Sequence, residues 1–127
     1  MKFIYLALGG SIGAILRYLL SLFSVKYMAW GLPMGTLMAN LIGSFLIGLA
    51  FVFFGRDQIA MNVKIFLFIG IFGSFTTLST FMFESFELIR LGSIKTALVY
   101  ISVSNIIGLL MVYLGFQLGE YLEKVNV

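Results

Sequence analysis

Four long apolar runs dominate the pattern of this chain: about Phe3–Tyr27, Met34–Phe54, Val63–Arg90 and Thr96–Leu118. A helix needs about 20 residues to cross the hydrocarbon core of a bilayer, and every run reaches that length. The period-two alternation of transmembrane barrel strands is missing. The connections Met28–Pro33, Gly55–Asn62 and Leu91–Lys95 are short and leave no room for a soluble domain. The pattern predicts an all-α membrane protein with four transmembrane helices and one membrane domain over residues 1–127. Lys2 ahead of an apolar run superficially resembles a signal peptide. The run is too long for one and Arg17 interrupts it, so it reads as a retained first helix.

Composition sharpens this picture. Hydrophobic residues make up 61% of the chain and charged residues 10%, against about 45–50% and 25% in soluble domains. A soluble domain of this size exposes too much of its chain to hide that much apolar surface. The chain has no Cys and no His, which removes disulfides, thiolate chemistry, imidazole bases and His-ligated metals. Three of the five carboxylates, Asp57, Glu120 and Glu123, fall in segments that read as loop or tail. With no acidic pair inside the membrane, an enzyme is not expected. The net charge of +3 is spread along the chain, which suits lipid headgroups and argues against a nucleic-acid surface.

Lys and Arg counts set orientation in the membrane. With four spans, one side carries Lys2, Arg56, Lys64 and Lys124 and the other Lys26, Arg90 and Lys95, four against three. Either a single residue such as Arg56 decides the topology, or the chain inserts both ways. Small residues recur at helical spacing: Gly9, Gly10, Gly13 and Ala14; Gly35, Ala39, Gly43 and Gly48; Gly108 and Gly115. They predict close helix packing in lipid, where packing replaces the hydrophobic drive.

Polar side chains inside the membrane are expensive and mark candidate sites. Arg17 must reach a cavity, a carbonyl cluster or an anion, or else snorkel or pair structurally. Asn40 and Asn105 can lock helices together or solvate an ion, and Ser102 and Ser104 share that ambiguity. In Gly70–Phe81, two glycines and five hydroxyl residues crowd the centre of the third span. Either the helix breaks there and frees carbonyls that suit a hard cation, or the hydroxyls bond back to the preceding turn of an intact helix. Glu84, Glu87 and Arg90 follow at three-residue spacing and read as one solvated face near the membrane surface.

Four blocks of the chain resemble the CrcB/Fluc family of fluoride exporters. They are Gly9-Gly10-x-x-Gly13-Ala14-x-x-Arg17-Tyr18, Gly35-Thr36-Leu37-x-x-Asn40-x-x-Gly43-Ser44-Phe45, Gly73-x-x-Thr76-Thr77-x-Ser79-Thr80-Phe81-x-x-Glu84 and Tyr100-x-x-x-Ser104-x-x-x-Gly108. The resemblance implies a passive fluoride channel in the cell inner membrane. It also implies an antiparallel, dual-topology homodimer with two pores and a third helix broken near its centre. A structural sodium ion would sit at that break on the backbone carbonyls of Gly73 and Thr76. Asn40 matches the family's pore amide and Phe81 the second of its two pore aromatics, while Leu78 stands where the first Phe usually is. Tyr100 and Ser104 match pore-side positions of the fourth helix, and Arg17 and Glu84 structural or vestibule positions.

The residue chemistry suits such a path. Asn40 N–H and the hydroxyls of Ser79, Thr80 and Ser104 are donors, and Phe81 has a positive ring edge. The runner-up reading is a small-multidrug-type dual-topology exporter. That mechanism needs a carboxylate in the first span, which this chain lacks.

Overall fold

In hydrocarbon no water satisfies backbone N–H and C=O groups, so a spanning chain must pair them within its own helices. The computed structural model follows that rule. It describes residues 1–28 and 31–127; Ala29 and Trp30, inside the expected Met28–Pro33 connection, lie outside the described residues. The elements are α1 (Lys2–Tyr27), α2 (Met34–Phe54), α3 (Met61–Lys64), a π-helical segment (Ile65–Phe72), α4 (Gly73–Phe75), α5 (Leu78–Arg90) and α6 (Ile94–Val125). No strand occurs among the described residues. Lys2–Tyr27, Met34–Phe54, Met61–Arg90 and Ile94–Val125 are each long and apolar enough to cross a bilayer, making this a multi-pass membrane protein.

The fourth helix runs past the expected Leu118 to Val125. Hydropathy marks where lipid ends, whereas residues 117–125 continue in good helix formers. Glu120 and Glu123 therefore stand on α6 and not in a tail. Glu123 accepts from the Arg56 guanidinium, tying the end of α6 to the loop after α2.

The third span changes character along its length. Residues 65–72 are π-helical, with turns widened to i→i+5 bonding. After Phe75 the backbone leaves the helix: Thr76 has φ −84° and ψ 158°, and Thr77 has φ −150° and ψ 124°. Both are extended, the conformation that β-branched residues favour. Helix α5 then starts at Leu78, with Thr77 as its N-cap accepting from the Thr80 N–H at 3.3 Å.

Small residues set the packing in two pairs. Gly9 and Gly13 of α1 lie against the third span; a Cβ on Gly13 would strike the Ile71 carbonyl and come within 3.0 Å of Phe75 N. Gly48 of α2 and Gly115 of α6 each lie against the other helix's backbone, where an added Cβ would strike Val112 O and Phe45 O respectively. Between the pairs, Met34 and Leu37 of α2, Phe81 of α5 and Tyr100 of α6 form a buried cluster. The outward faces are apolar, including Leu109 at 76% exposure and Ile106 at 66%, as lipid contact demands.

The glycine contacts generate a paired expectation. Gly115→Leu should separate α2 from α6 and abolish the monodisperse peak in detergent size exclusion. Gly108→Ala, whose Cβ meets nothing closer than Ser44 Oγ at 4.0 Å, should leave peak and thermal midpoint unchanged. Equal behaviour of the two variants contradicts this packing.

Candidate functional site

The site begins where the third span leaves the helix. Extended backbone at Thr77 offers an N–H and a C=O that no helix turn can pair. Asn40, seven residues into α2, pairs both: its Nδ2 donates to Thr77 O at 3.0 Å, and Thr77 N–H donates to its Oδ1 at 2.8 Å. The side-chain amide thus acts as a short strand edge. In an unbroken helix the Thr77 N–H would bond the carbonyl four residues back, that of Gly73; here it goes to Asn40 instead. Thr76 supports the turn from its other side, its Oγ1 bonding back to Phe72 O at 2.8 Å.

Beside this clamp lies a cavity of about 390 Å³. Asn40, Ser44, Thr77, Leu78, Phe81, Ser104 and Asn105 are among its lining residues, together with Gly73 and Thr76, and none of its lining residues is charged. The Ser104 hydroxyl is buried without a hydrogen-bond partner. A buried hydroxyl left in that state costs roughly 1–3 kcal/mol, which makes Ser104 a candidate donor to a ligand or a water. Asn105 is committed differently, its Nδ2 bonding back to Ile101 O at 2.8 Å, and Ser102 is exposed.

Phe81 packs its ring on Tyr100, centroids 5.0 Å apart and planes inclined by 60°. Tyr100 is fully buried and its hydroxyl donates to Glu84 at 3.1 Å. Thr36 donates to the other Glu84 oxygen at 2.6 Å. Glu84 therefore turns inward, off the solvated face expected for it. Three-residue spacing drifts by about 60° per step on an α-helix, so Glu84 and Arg90 end about 120° apart. Glu87 and Arg90 do form the surface pair, with contacts of 2.9 and 2.7 Å. Glu84 also lines a second cavity of about 420 Å³, with Ser21, Ser24 and Thr36.

Arg17 is half-buried and lines a third cavity, of about 600 Å³, with Gly73, Ser74, Thr76, Thr77, Leu78 and Ser79. The structure thus brings Asn40, Leu78, Phe81 and Ser104 together and places Ser79 on the Arg17 side. Thr80 lines none of these cavities; its N–H serves the Thr77 cap. Leu78, 70% exposed, borders both the Asn40 and the Arg17 cavities. Sequence reasoning missed Thr36 and Thr77 as partners in the site. The signals were there: Thr36 sits one helical turn before Asn40, and Thr77 directly ahead of the apolar Leu78 is a residue type that caps helix starts.

Comparisons with known proteins bear on this arrangement. A fluoride-specific ion channel FluC of Parabacteroides distasonis is 41% identical over 120 residues, 94% of either chain. The protein of that name from Shewanella loihica is 42% identical over 115 residues, 91% of this chain and 93% of its own. That of Salinibacter ruber is 42% identical over 119 residues, 91% and 86% respectively. The family described as CrcB-like protein, Camphor Resistance (CrcB) matches residues 4–116. Because that match takes in part of every span and both halves of the Asn40–Thr77 clamp, the chain belongs to the CrcB family.

Proposed function

We propose that this chain is a fluoride channel of the inner membrane, passing the ion out of the cytoplasm down its gradient and so lowering its toxicity. One observation carries the reading: a cavity within the spans, lined by amide and hydroxyl groups, the rings of Phe68, Phe72 and Phe81, and no charge. Fluoride is small and strongly hydrated, so a dry path must replace its water with donors. Asn40 has a second N–H beyond the one held by Thr77, and Ser104 has a hydroxyl without a partner. The edge of Phe81 carries the positive end of the ring quadrupole. Weak donors without a fixed cation let an ion bind and leave again, as conduction needs. The names of the relatives agree with this choice of ion. No bond is made or broken, so the protein is a channel and not an enzyme. A negative-inside potential drives an anion outward by about 2.3 kcal/mol per 100 mV, so a passive path exports.

The working unit in this reading is an antiparallel homodimer with two pores. The four-to-three balance of Lys and Arg across the ends supports insertion both ways. The α5 face carrying Leu78, Met82, Phe83 and Phe86 is exposed in one copy and available to a second. A structural sodium ion fits the interruption of the third span. The donor set is oxygen only, and the Thr77 N–H that would occupy the Gly73 carbonyl is diverted to Asn40. Gly73 and Thr76 would hold the ion with backbone carbonyls, the ion contributing fixed positive charge at the dimer centre. Hard cations take about six oxygens, so one chain alone is insufficient. Arg17 lines the same cavity and opposes a cation there, which makes oxygens from both copies necessary.

Purified protein in liposomes should release fluoride and retain chloride; equal passage of both ions refutes selectivity. Asn40→Asp should lower fluoride efflux by a hundredfold or more. An ionised carboxylate about 4 Å from the anion costs roughly 4 kcal/mol at an effective dielectric of 20. Phe81→Ile should also slow efflux with the size-exclusion profile unchanged. Folded variants passing fluoride at the parent rate remove these two residues from the pathway.

Two added Lys residues in the Gly55–Asn62 loop should fix one orientation and abolish efflux, and coexpression with an oppositely biased variant should restore it. Full efflux from the singly oriented variant excludes the antiparallel dimer.

A further inference from the structure

The geometry points to a second role for Asn40: it is the positioning residue that holds the third span open and keeps the Gly73 carbonyl available to a cation. The role in cation binding rests on the proposed sodium site; the role in holding the helix open does not.

The argument follows the hydrogen bonds. At the interruption, Thr76 N–H bonds Phe72 O at 3.1 Å, as in a helix. The next donor, Thr77 N–H, is the first to leave the helical series, and it goes to Asn40 Oδ1 at 2.8 Å. Thr77 O, which a continuing helix would pair further on, receives Asn40 Nδ2 at 3.0 Å. One side chain therefore satisfies both backbone groups of Thr77. At membrane depth each unpaired group costs several kcal/mol. Without the amide, closing the helix is the way to pair them within the chain. Thr77 N–H then returns to Gly73 O, the oxygen assigned to the cation.

Other contacts do not replace the clamp. Thr77 Oγ1 caps Thr80 N–H at 3.3 Å, but that bond leaves the Thr77 N–H and C=O untouched. Thr76 Oγ1 bonds Phe72 O, within the helix that precedes the interruption. Asn40 thus couples the two proposed ion sites: its Oδ1 holds the Thr77 N–H away from the Gly73 carbonyl, and the same side chain lines the Ser104 cavity.

The two roles separate by substitution. Asn40→Asp keeps an oxygen that accepts from Thr77 N–H. Asn40→Ala removes acceptor and donor together. The full-length protein, purified in detergent, is to be melted in sodium and in N-methylglucamine chloride, and amide exchange over residues 73–80 followed by mass spectrometry. The parent and Asn40→Asp should both gain thermal stability in sodium, although Asn40→Asp has lost fluoride efflux. Asn40→Ala should lose the sodium response, and its exchange over 73–80 should slow about tenfold as the closing helix gains bonds.

Unchanged or faster exchange in a folded Asn40→Ala overturns the proposal, since the segment then stays open without the amide. A sodium response retained by Asn40→Ala overturns the coupling to Gly73. A parent without any sodium response removes the sodium site itself, while the exchange measurement still decides whether Asn40 holds the helix open. If Asn40→Ala does not fold, Asn40→Ser and Asn40→Leu supply the exchange comparison: Ser retains a short acceptor and should exchange closer to the parent than Leu.

Discussion

The structure depends on one requirement: backbone polar groups buried in a membrane must be paired. Within their interiors the helices meet it alone. At Thr76 and Thr77 they do not, and the deficit is met by a side-chain amide with one acceptor and two donors. An amide offers both functions in one plane, and Gln, the other amide side chain, is one methylene longer. Asn40 sits in the first half of α2, whose Gly48 packs against α6. The position of the extended segment is therefore inherited from the α2–α6 crossing.

The two tight pairs explain why an irregular segment is tolerated at all. Backbone-to-backbone approach at Gly9 and Gly13 fixes the first half of the third span against α1 up to Phe75. The second half is held separately, through Phe81 on Tyr100 and through Glu84 between Thr36 and Tyr100. Two independently anchored half-helices leave the residues between them free of helical obligation. The π-helical turns before Phe72 suit this arrangement, since widened turns let one half shift relative to the other.

Much of this was legible from residue patterns, and the failures have physical causes. Span number and core bounds follow from apolar length, because lipid thickness is a fixed ruler. The glycine stripes announced the crossings, because only small residues let backbones meet. The Gly70–Phe81 cluster left open whether its hydroxyls bond back or the helix stops; the Thr76 hydroxyl bonds back to Phe72 O, and the dihedrals of Thr76 and Thr77 are extended. Glu84 was placed on the wrong face, because three-residue spacing suggests a shared face while the helix rotates steadily beneath it. The extension of α6 was lost because hydropathy measures lipid contact and not helicity. The pairing of Asn40 with Thr77 spans 37 residues of sequence, and no local pattern encodes a partner at that distance.

The placement of Ser79 and Thr80 bears on the proposed pathway. In the sequence they stand as donors beside Phe81, yet successive residues on a helix point about 100° apart. Phe81 and Leu78, three apart, face the Ser104 cavity together, whereas Ser79 turns to Arg17 and Thr80 to neither. Within one chain, then, the donors divide into two sets separated by the Thr76–Leu78 segment, which borders both cavities. A single subunit presents an uncharged set on one side of that segment and Arg17 on the other. The Arg17 cavity and the Asn40–Ser104 cavity therefore share one strip of backbone between their two faces. A second copy, turned over against the first, would bring its own Arg17 side and Asn40 side to those faces in reverse order. In the proposed antiparallel dimer this division of donors becomes two equivalent paths.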